Sequence, residues 1–233
     1  MIISILTILL IIALHLLPRK IREKVISRLR RVFVRIRNMV GGHKKIIKEL
    51  VIRKAQKKNA SKIAKLFMLA WPVEDILKDI NISYKQLHKF ITQIAKSEQT
   101  IYSYENTYIA VADGKIVGAM CAYNGADYQR LKQPIVDILG KDSMFAHLKE
   151  TEAGEFYIDS VGVLEGYRGR GIASKLFAVQ IERARYLGMK TVGLIVDEDK
   201  PQAEALYTRL GFSVLDNKEF FGHPMKHMVI NLD

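Results

Sequence analysis

Hydrophobic and polar positions run along this chain in two periods, and the changes of period mark its elements. Residues 1–17, MIISILTILLIIALHLL, carry no charge, and only Ser4, Thr7 and His15 interrupt the apolar run. Residues 19–40 then place Ile21, Val25, Leu29, Val32, Phe33, Ile36 and Val40 at helical spacing, with Arg and Lys on the other face. Gly41-Gly42 breaks that pattern. A short strand, ELVIRKA (49–55), follows. Asn59-Ala60-Ser61 opens a helix running to about Ala70, ended by Trp71-Pro72. Residues 74–99 hold one or two further helices. The alternating run 106–123 is a hairpin turning at Asp113-Gly114. An insert at 124–154 is weakly helical. A strand rich in β-formers, EFYIDSVGV (155–163), leads through a glycine-rich loop to a helix over 172–187, closed by Gly188. TVGLIVDE (191–198) reads as a buried strand. Pro201 suits the first turn of the next helix and Gly211 its C-terminal cap. FSVLD (212–216) and KHMVINL (226–232) are the last strands, and no internal repeat or low-complexity tract is present.

The loop between the strand 155–163 and the helix 172–187 carries the most chemical information. Strand, glycine loop and helix N-terminus form an anion cradle, because free backbone N–H groups and the positive helix end face the ligand. Gly169 and Gly171 permit unusual backbone geometry, and Arg168 and Arg170 add charge. The loop lacks the Lys-Ser/Thr ending of a P-loop and the spacing of a dinucleotide fingerprint.

Arg168-Gly169-Arg170-Gly171-Ile172-Ala173 resembles the Gln/Arg-x-x-Gly-x-Gly/Ala pyrophosphate loop of the GNAT acetyltransferase superfamily. ALYTRLGF (205–212) is similar to a second segment of that family, A-x-x-LYxxxGF, and the element order agrees over residues 49–232. The resemblance implies a mixed α/β sheet of the GNAT acyl-CoA N-acyltransferase fold, here preceded by a hydrophobic helix and a basic amphipathic helix. It divides the chain into an N-terminal segment, 1–47, and an acetyltransferase domain, 48–233. It implies acetyl-CoA as co-substrate, bound by Val161, Val163, Arg168, Gly169, Arg170, Gly171, Ile172, Ala173 and Ser174. Val161 and Val163 would act through the main chain, pairing with the pantetheine arm and polarising the thioester carbonyl. The reaction implied is direct transfer of acetyl to a primary amine. Tyr207 is the candidate general acid for the departing thiolate. A non-catalytic acyl-CoA sensor on the same fold is the alternative. Where the family usually has Asn, seven residues before the tyrosine, this chain has Lys200, so that contact is not carried over.

A primary amine with pKa near 10 attacks only when neutral, so the site must remove a proton or select the neutral form. Asp159 and Glu155 are the candidate bases, sharing strand parity with Val161 and Val163. A water relay without a dedicated base serves equally well. His88, His147, His223 and His227 show no shared spacing that suggests a metal and read as surface or packing residues. Cys121, the single cysteine, sits in an apolar strand pattern and reads as a core residue.

Charge changes the picture at one end only. The net charge is +13, yet residues 1–47 hold eleven Lys/Arg against one Glu, and the remaining residues hold 26 against 23. The nearly balanced domain gives no reason to expect nucleic acid as a partner. The 17 uncharged residues would reach roughly 25 Å as a helix, just short of a hydrocarbon core of about 30 Å. Followed by a basic amphipathic helix, they read as a membrane anchor that leaves the rest on the cytoplasmic face. Two readings compete: a start codon placed too early, with Met39 as initiator and a cytoplasmic enzyme, or a helix pair that packs on another protein. The acceptor amine, small molecule or protein, has no recognisable code, and the family resemblance allows a homodimer.

Overall fold

The computed structural model describes residues 46–232, Phe221 excepted. The expected anchor and amphipathic helix, residues 1–40, lie outside the described residues. Among the described residues no helix is long and apolar enough to cross a membrane.

Residues 47–233 form one compact unit. Its elements are β1 (Leu50–Lys54), α1 (Ala60–Phe67), α2 (Val73–Asp79), α3 (Tyr84–Lys96), β2 (Thr107–Ala112), β3 (Lys115–Asn124), α4 (Tyr128–Leu139), α5 (Met144–His147), β4 (Glu155–Val163), α6 (Ile172–Tyr186), β5 (Thr191–Asp197), α7 (Pro201–Arg209), β6 (Ser213–Phe220) and β7 (His223–Asn231). The region 74–99 resolves into α2 and α3. Ser83 starts α3, its hydroxyl accepting from the Gln86 N–H while the Gln86 side chain accepts from the Ser83 N–H. The hairpin turns where expected, with Asp113 at φ 47° and Gly114 at φ 78°. β6 runs to Phe220, four residues beyond the expected end, because an exposed edge strand needs no apolar alternation and Asn217-Lys218-Glu219 can pair with β7 in the open.

The seven strands form one sheet in the order β1-β2-β3-β4-β5-β7-β6. Every neighbouring pair is antiparallel except β4 and β5. That parallel pairing covers only Glu155 with Thr191, Phe156 with Val192 and Tyr157 with Gly193. Beyond it the two strands part, leaving the main chain of β4 from Ile158 onward without a β5 partner.

Apolar side chains fill both faces of the sheet. Leu176, Phe177 and Ala184 of α6 pack on Met120, Phe156, Val192 and Met228. On the opposite face Ile63, Leu66 and Phe67 of α1 and Ile94 of α3 pack on Ile109, Tyr123 and Tyr157. Cys121 belongs to that second core, its thiol donating to the Ile101 carbonyl at 3.0 Å, and burial pushes the thiol pKa up. The core reading of this cysteine fits its surroundings.

The ladder between β3 and β4 steps from Cys121–Ser160 to Ala122–Ile158, so Asp159 is an extra, unpaired residue. This bulge overturns the expected parity. Phe156 and Ile158 face α6, as do Val161 and Val163, whereas Tyr157 and the residues Asp159 and Ser160 face α1 and α3. Asp159 and Glu155 therefore lie on the face opposite Val161 and Val163. Gly162 shares the α1 face, where a Cβ would stand 1.9 Å from the Leu66 carbonyl oxygen. Only glycine lets the α1 backbone lie so close to β4.

Candidate active site

The glycine loop is shaped by three local devices. Residues Glu165–Tyr167 make a single 3-10 turn after β4. Arg168 folds back, its Nε donating to the Val163 carbonyl at 3.0 Å, and so ties the loop to the end of the strand. Gly169 and Gly171 stand at φ 70° and 72°, a left-handed backbone, with nothing within 4 Å of where a Cβ would be. Backbone conformation, not crowding, selects glycine here, and the space beside the loop is open. Gly171 caps α6, whose fifteen residues begin with Ile172, Ala173 and Ser174. The amides of that first turn have no acceptor within the helix and point out of its positive end. Arg170 lies over the Tyr167 ring at 5.6 Å, and with Lys48 and Lys175 it lines an open cleft of about 470 Å³. Such a site suits a polyanion such as a pyrophosphate.

One strand leads from this anion cradle to the chemistry. Val163 is buried and Val161 half-buried against the α6 side, and their main chain runs along the gap left by β5. An extended ligand can pair there as a missing strand would.

Asp159 stands at the beginning of the gap. Tyr123 donates its hydroxyl to Asp159 Oδ2 at 2.8 Å, and Ser160 donates to Oδ1 at 2.8 Å. The Trp71 indole N–H donates to the Ser160 hydroxyl at 3.0 Å. Tyr102 stacks obliquely on Trp71, with ring centroids 4.9 Å apart. Burial pushes the Asp159 pKa up to about 6, against the hydrogen bonds from Ser160, Tyr123 and Tyr102. The residue as a whole is half-buried. Behind it, Glu150 accepts from the Tyr157 hydroxyl at 3.1 Å, and burial and then the Asp159 charge raise its pKa. Tyr123, Ser160, Trp71, Tyr102 and Glu150 had no signal in the sequence. They converge only because the bulge turns Asp159 and Ser160 to the same face.

Glu155 has a different setting. Its Oε2 accepts from Thr151 Oγ1 at 2.6 Å, and its Oε1 lies 2.6 Å from His227 Nε2. His227 Nδ1 lies 3.2 Å from Asp216 Oδ1. Both Glu155 oxygens are engaged where β4, β5 and β7 meet, over Gly193, whose missing Cβ leaves the room. His227 is thus neither a surface residue nor simple packing, but the link between two carboxylates. The arrangement leaves Asp159 as the better placed of the two candidate bases.

Tyr207 packs on the other face. Its ring lies 5.4 Å from Phe177 and 6.1 Å from Phe212, and burial pushes its pKa up to about 12. Its hydroxyl therefore keeps its proton at neutral pH and is available as a proton donor. The candidate acid and the candidate base thus lie on opposite faces of the sheet. Lys200, at the N-cap of α7, donates from Nζ to the Ala70 carbonyl at 3.3 Å and ties the start of α7 to the turn that follows α1.

A splayed parallel pair, an anion cradle at one end of the gap and an enclosed carboxylate at the other define an acyltransferase-type α/β domain. The sequence profile of the Acetyltransferase (GNAT) family matches residues 51–212, and the chain belongs to that family. A mycothiol acetyltransferase of Corynebacterium aurimucosum is 39% identical over 71 residues, which is 30% of this chain and 23% of that protein. One from Parafrankia sp. is 44% identical over 59 residues, 25% of this chain and 18% of that protein. The chain thus matches less than a quarter of the length of these curated relatives. A crystal structure described as an acetyltransferase superposes with a TM-score of 0.66 at 27% identity, over 78% of this chain and all of that one. An N-acetyltransferase from Staphylococcus aureus Mu50 superposes with a TM-score of 0.65 at 21% identity, over 77% of this chain and all of that one, and shares the fold.

Proposed function

We propose that this protein is an acetyl-CoA-dependent N-acetyltransferase in which a primary amine attacks the thioester directly. The observation that carries the reading is the bulge at Asp159, which sets an enclosed carboxylate at the start of the β4–β5 gap. The loop 168–174 and the first turn of α6 hold the pyrophosphate of the co-substrate. The pantetheine arm lies along Val161 and Val163, whose backbone N–H groups stabilise the oxyanion that forms on the thioester carbonyl. Asp159 takes a proton from the bound ammonium, the amine nitrogen bonds to the carbonyl carbon, and the C–S bond breaks as the tetrahedral intermediate collapses. Tyr207 gives its proton to the departing sulfur and regains one as the second amine proton leaves.

Residues 1–40 tether this enzyme to the cytoplasmic face of a membrane in the same reading, supported by the uncharged run 1–17 and the eleven cations that follow within residues 1–47. Fractionation of the native protein tests the tether. Recovery in the soluble fraction at low salt overturns it.

Calorimetry on the full chain tests the co-substrate. Acetyl-CoA is expected to bind one to one, and Gly171→Glu to abolish binding by placing a carboxylate at the pyrophosphate and a side chain on a left-handed backbone. An amine panel with free-thiol detection then follows turnover. Equal absence of binding in two folded proteins defeats the proposal, and binding without turnover on any amine leaves only the sensor.

A further inference from the structure

α6 carries a polar pair into an otherwise apolar interface. Gln180 is fully buried and Arg183 half-buried, among Leu176, Phe177 and Ala184. Arg183 Nη1 donates to the Ala122 carbonyl at 3.2 Å and to Gln180 Oε1 at 3.4 Å. Its guanidinium lies 5.3 Å from the Phe156 ring and 5.7 Å from the Tyr108 ring. Burial lowers its pKa, so the cation stands there at a cost. Gln180 Nε2 has no hydrogen-bond partner. Two costly polar side chains in a helix-to-sheet interface call for a backbone group that needs them.

Ala122 is that group's residue. It is the β3 position at which the ladder to β4 steps past Asp159, and it lies one residue beyond Cys121, the last β3 residue paired with β2. We infer that Arg183 is a positioning residue for Asp159: it holds the β3 strand at the register step from the α6 face, and so fixes the bulge that turns Asp159 to the opposite face. The effect travels through the backbone. The groups that meet the Asp159 carboxyl are Tyr123 of β3, Ser160 of β4 and Tyr102, with Glu150 acting at longer range, and none of them belongs to α6. A strand pair that loses its bulge moves by one residue and reverses every side chain beyond it, which would carry Asp159 off its face. The helix that opens the anion cradle with its first turn thus also sets the carboxylate with its last.

The inference rests on the proposed role of Asp159 for its kinetic readout alone. The test uses the full chain with Arg183→Met and Arg183→Lys. Carbon-13 NMR follows the titration of the Asp159 carboxyl, assigned by comparison with Asp159→Asn. Steady-state kinetics follow one accepted amine across pH. In Arg183→Met the Asp159 midpoint should rise further above the ordinary carboxylate range, because loss of the bulge turns the side chain towards the apolar α6 interface and away from the Tyr123 and Ser160 hydroxyls that favour its charged form. The acid limb of the rate profile should move with it. kcat should fall about tenfold or more while the acetyl-CoA Kd stays within about threefold. Arg183→Lys keeps a donor to Ala122 and should restore part of both readouts. A folded Arg183→Met with an unchanged Asp159 midpoint and an unchanged profile overturns the inference, whatever its melting temperature. If Arg183→Met does not fold, Arg183→Gln, shorter and neutral, carries the same readouts under the same criteria. Should Asp159→Asn retain full activity, the base assignment falls, and the NMR titration still decides the role of Arg183.

Discussion

The two ends of β4 hold the same kind of residue in opposite circumstances. At its start, where β4 pairs with β5, Glu155 is locked between Thr151 and His227 with both oxygens occupied. Four residues on, where the strands have parted, Asp159 is half-buried beside the gap and held by a tyrosine and a serine hydroxyl. A carboxylate on an apolar strand is therefore not a functional signal in itself. What separates the two is the state of the neighbouring strand. A closed ladder makes the acid a structural cross-link, whereas an open one leaves room for a substrate.

The contrast breaks most visibly in Asp159→Asn. Removal of a general base costs typically 10²–10⁴ in rate, so kcat/KM for a good amine should fall within that range. With the Asp159 pKa near 6, the wild-type rate should decline below about pH 6 as the carboxyl protonates, and the variant should lack that limb. A variant within threefold of wild type across pH would assign the proton to water. The mirror experiment is His227→Ala, which strips Glu155 of its partner inside the β4–β5–β7 junction. Leaving one oxygen of a buried carboxyl without its hydrogen-bond partner costs about 1–3 kcal/mol. The denaturant midpoint should drop accordingly, while kcat at a temperature where the protein is folded stays within about threefold. A large kcat loss without a stability loss would exchange the roles of the two ends.

Much of this contrast was invisible in the sequence, for a physical reason. The loop 167–174 was legible because it is local: glycine at left-handed positions and a helix start leave their mark within a few residues. The hairpin at Asp113-Gly114 was legible for the same reason. Strand parity taken from the sequence alone runs uninterrupted through β4, and the bulge at Asp159 reverses it, since an extra residue is a property of the pair of strands and not of either alone. Trp71 and Ser160, or Glu155 and His227, meet across 89 and 72 residues of chain, and no spacing rule connects them. The end of β6 was missed because a strand in the open has no apolar face to mark it.

A smaller effect sharpens the comparison from the stability side. The Asp159 pKa is raised from 3.8 to about 6 on folding, so the folded state binds the proton more tightly than the unfolded chain. Stability from this group is complete below about pH 4 and is lost as pH rises through 6. Two pKa units correspond to at most about 3 kcal/mol. Asp159→Asn carries no charge to bury, so it should be more stable than wild type at pH 8, with the advantage vanishing near pH 4. Thermal melts at the two pH values measure it. An advantage that grows on acidification would mean that Asp159 is stabilised as a carboxylate, like the acid at the other end of the strand.

Tyr207→Phe probes the face that neither carboxylate reaches, and its effect should be the smallest. The ring packs between Phe177 and Phe212, and phenylalanine fills the same space, so the melting temperature should hardly move. The hydroxyl, with its pKa pushed up to about 12, is a weak acid but a persistent donor. CoA thiolate is a tolerable leaving group unaided, so kcat should fall only about tenfold, or ~1.4 kcal/mol. The substituent effect separates help to the leaving group from simple packing. Acyl carriers with more acidic thiols should narrow the gap between Tyr207→Phe and wild type, because a better leaving group needs less of the proton that Tyr207 supplies. If the gap stays constant across the series, the hydroxyl acts in binding rather than in C–S cleavage, and the chemistry of this domain belongs to the Asp159 side of the sheet.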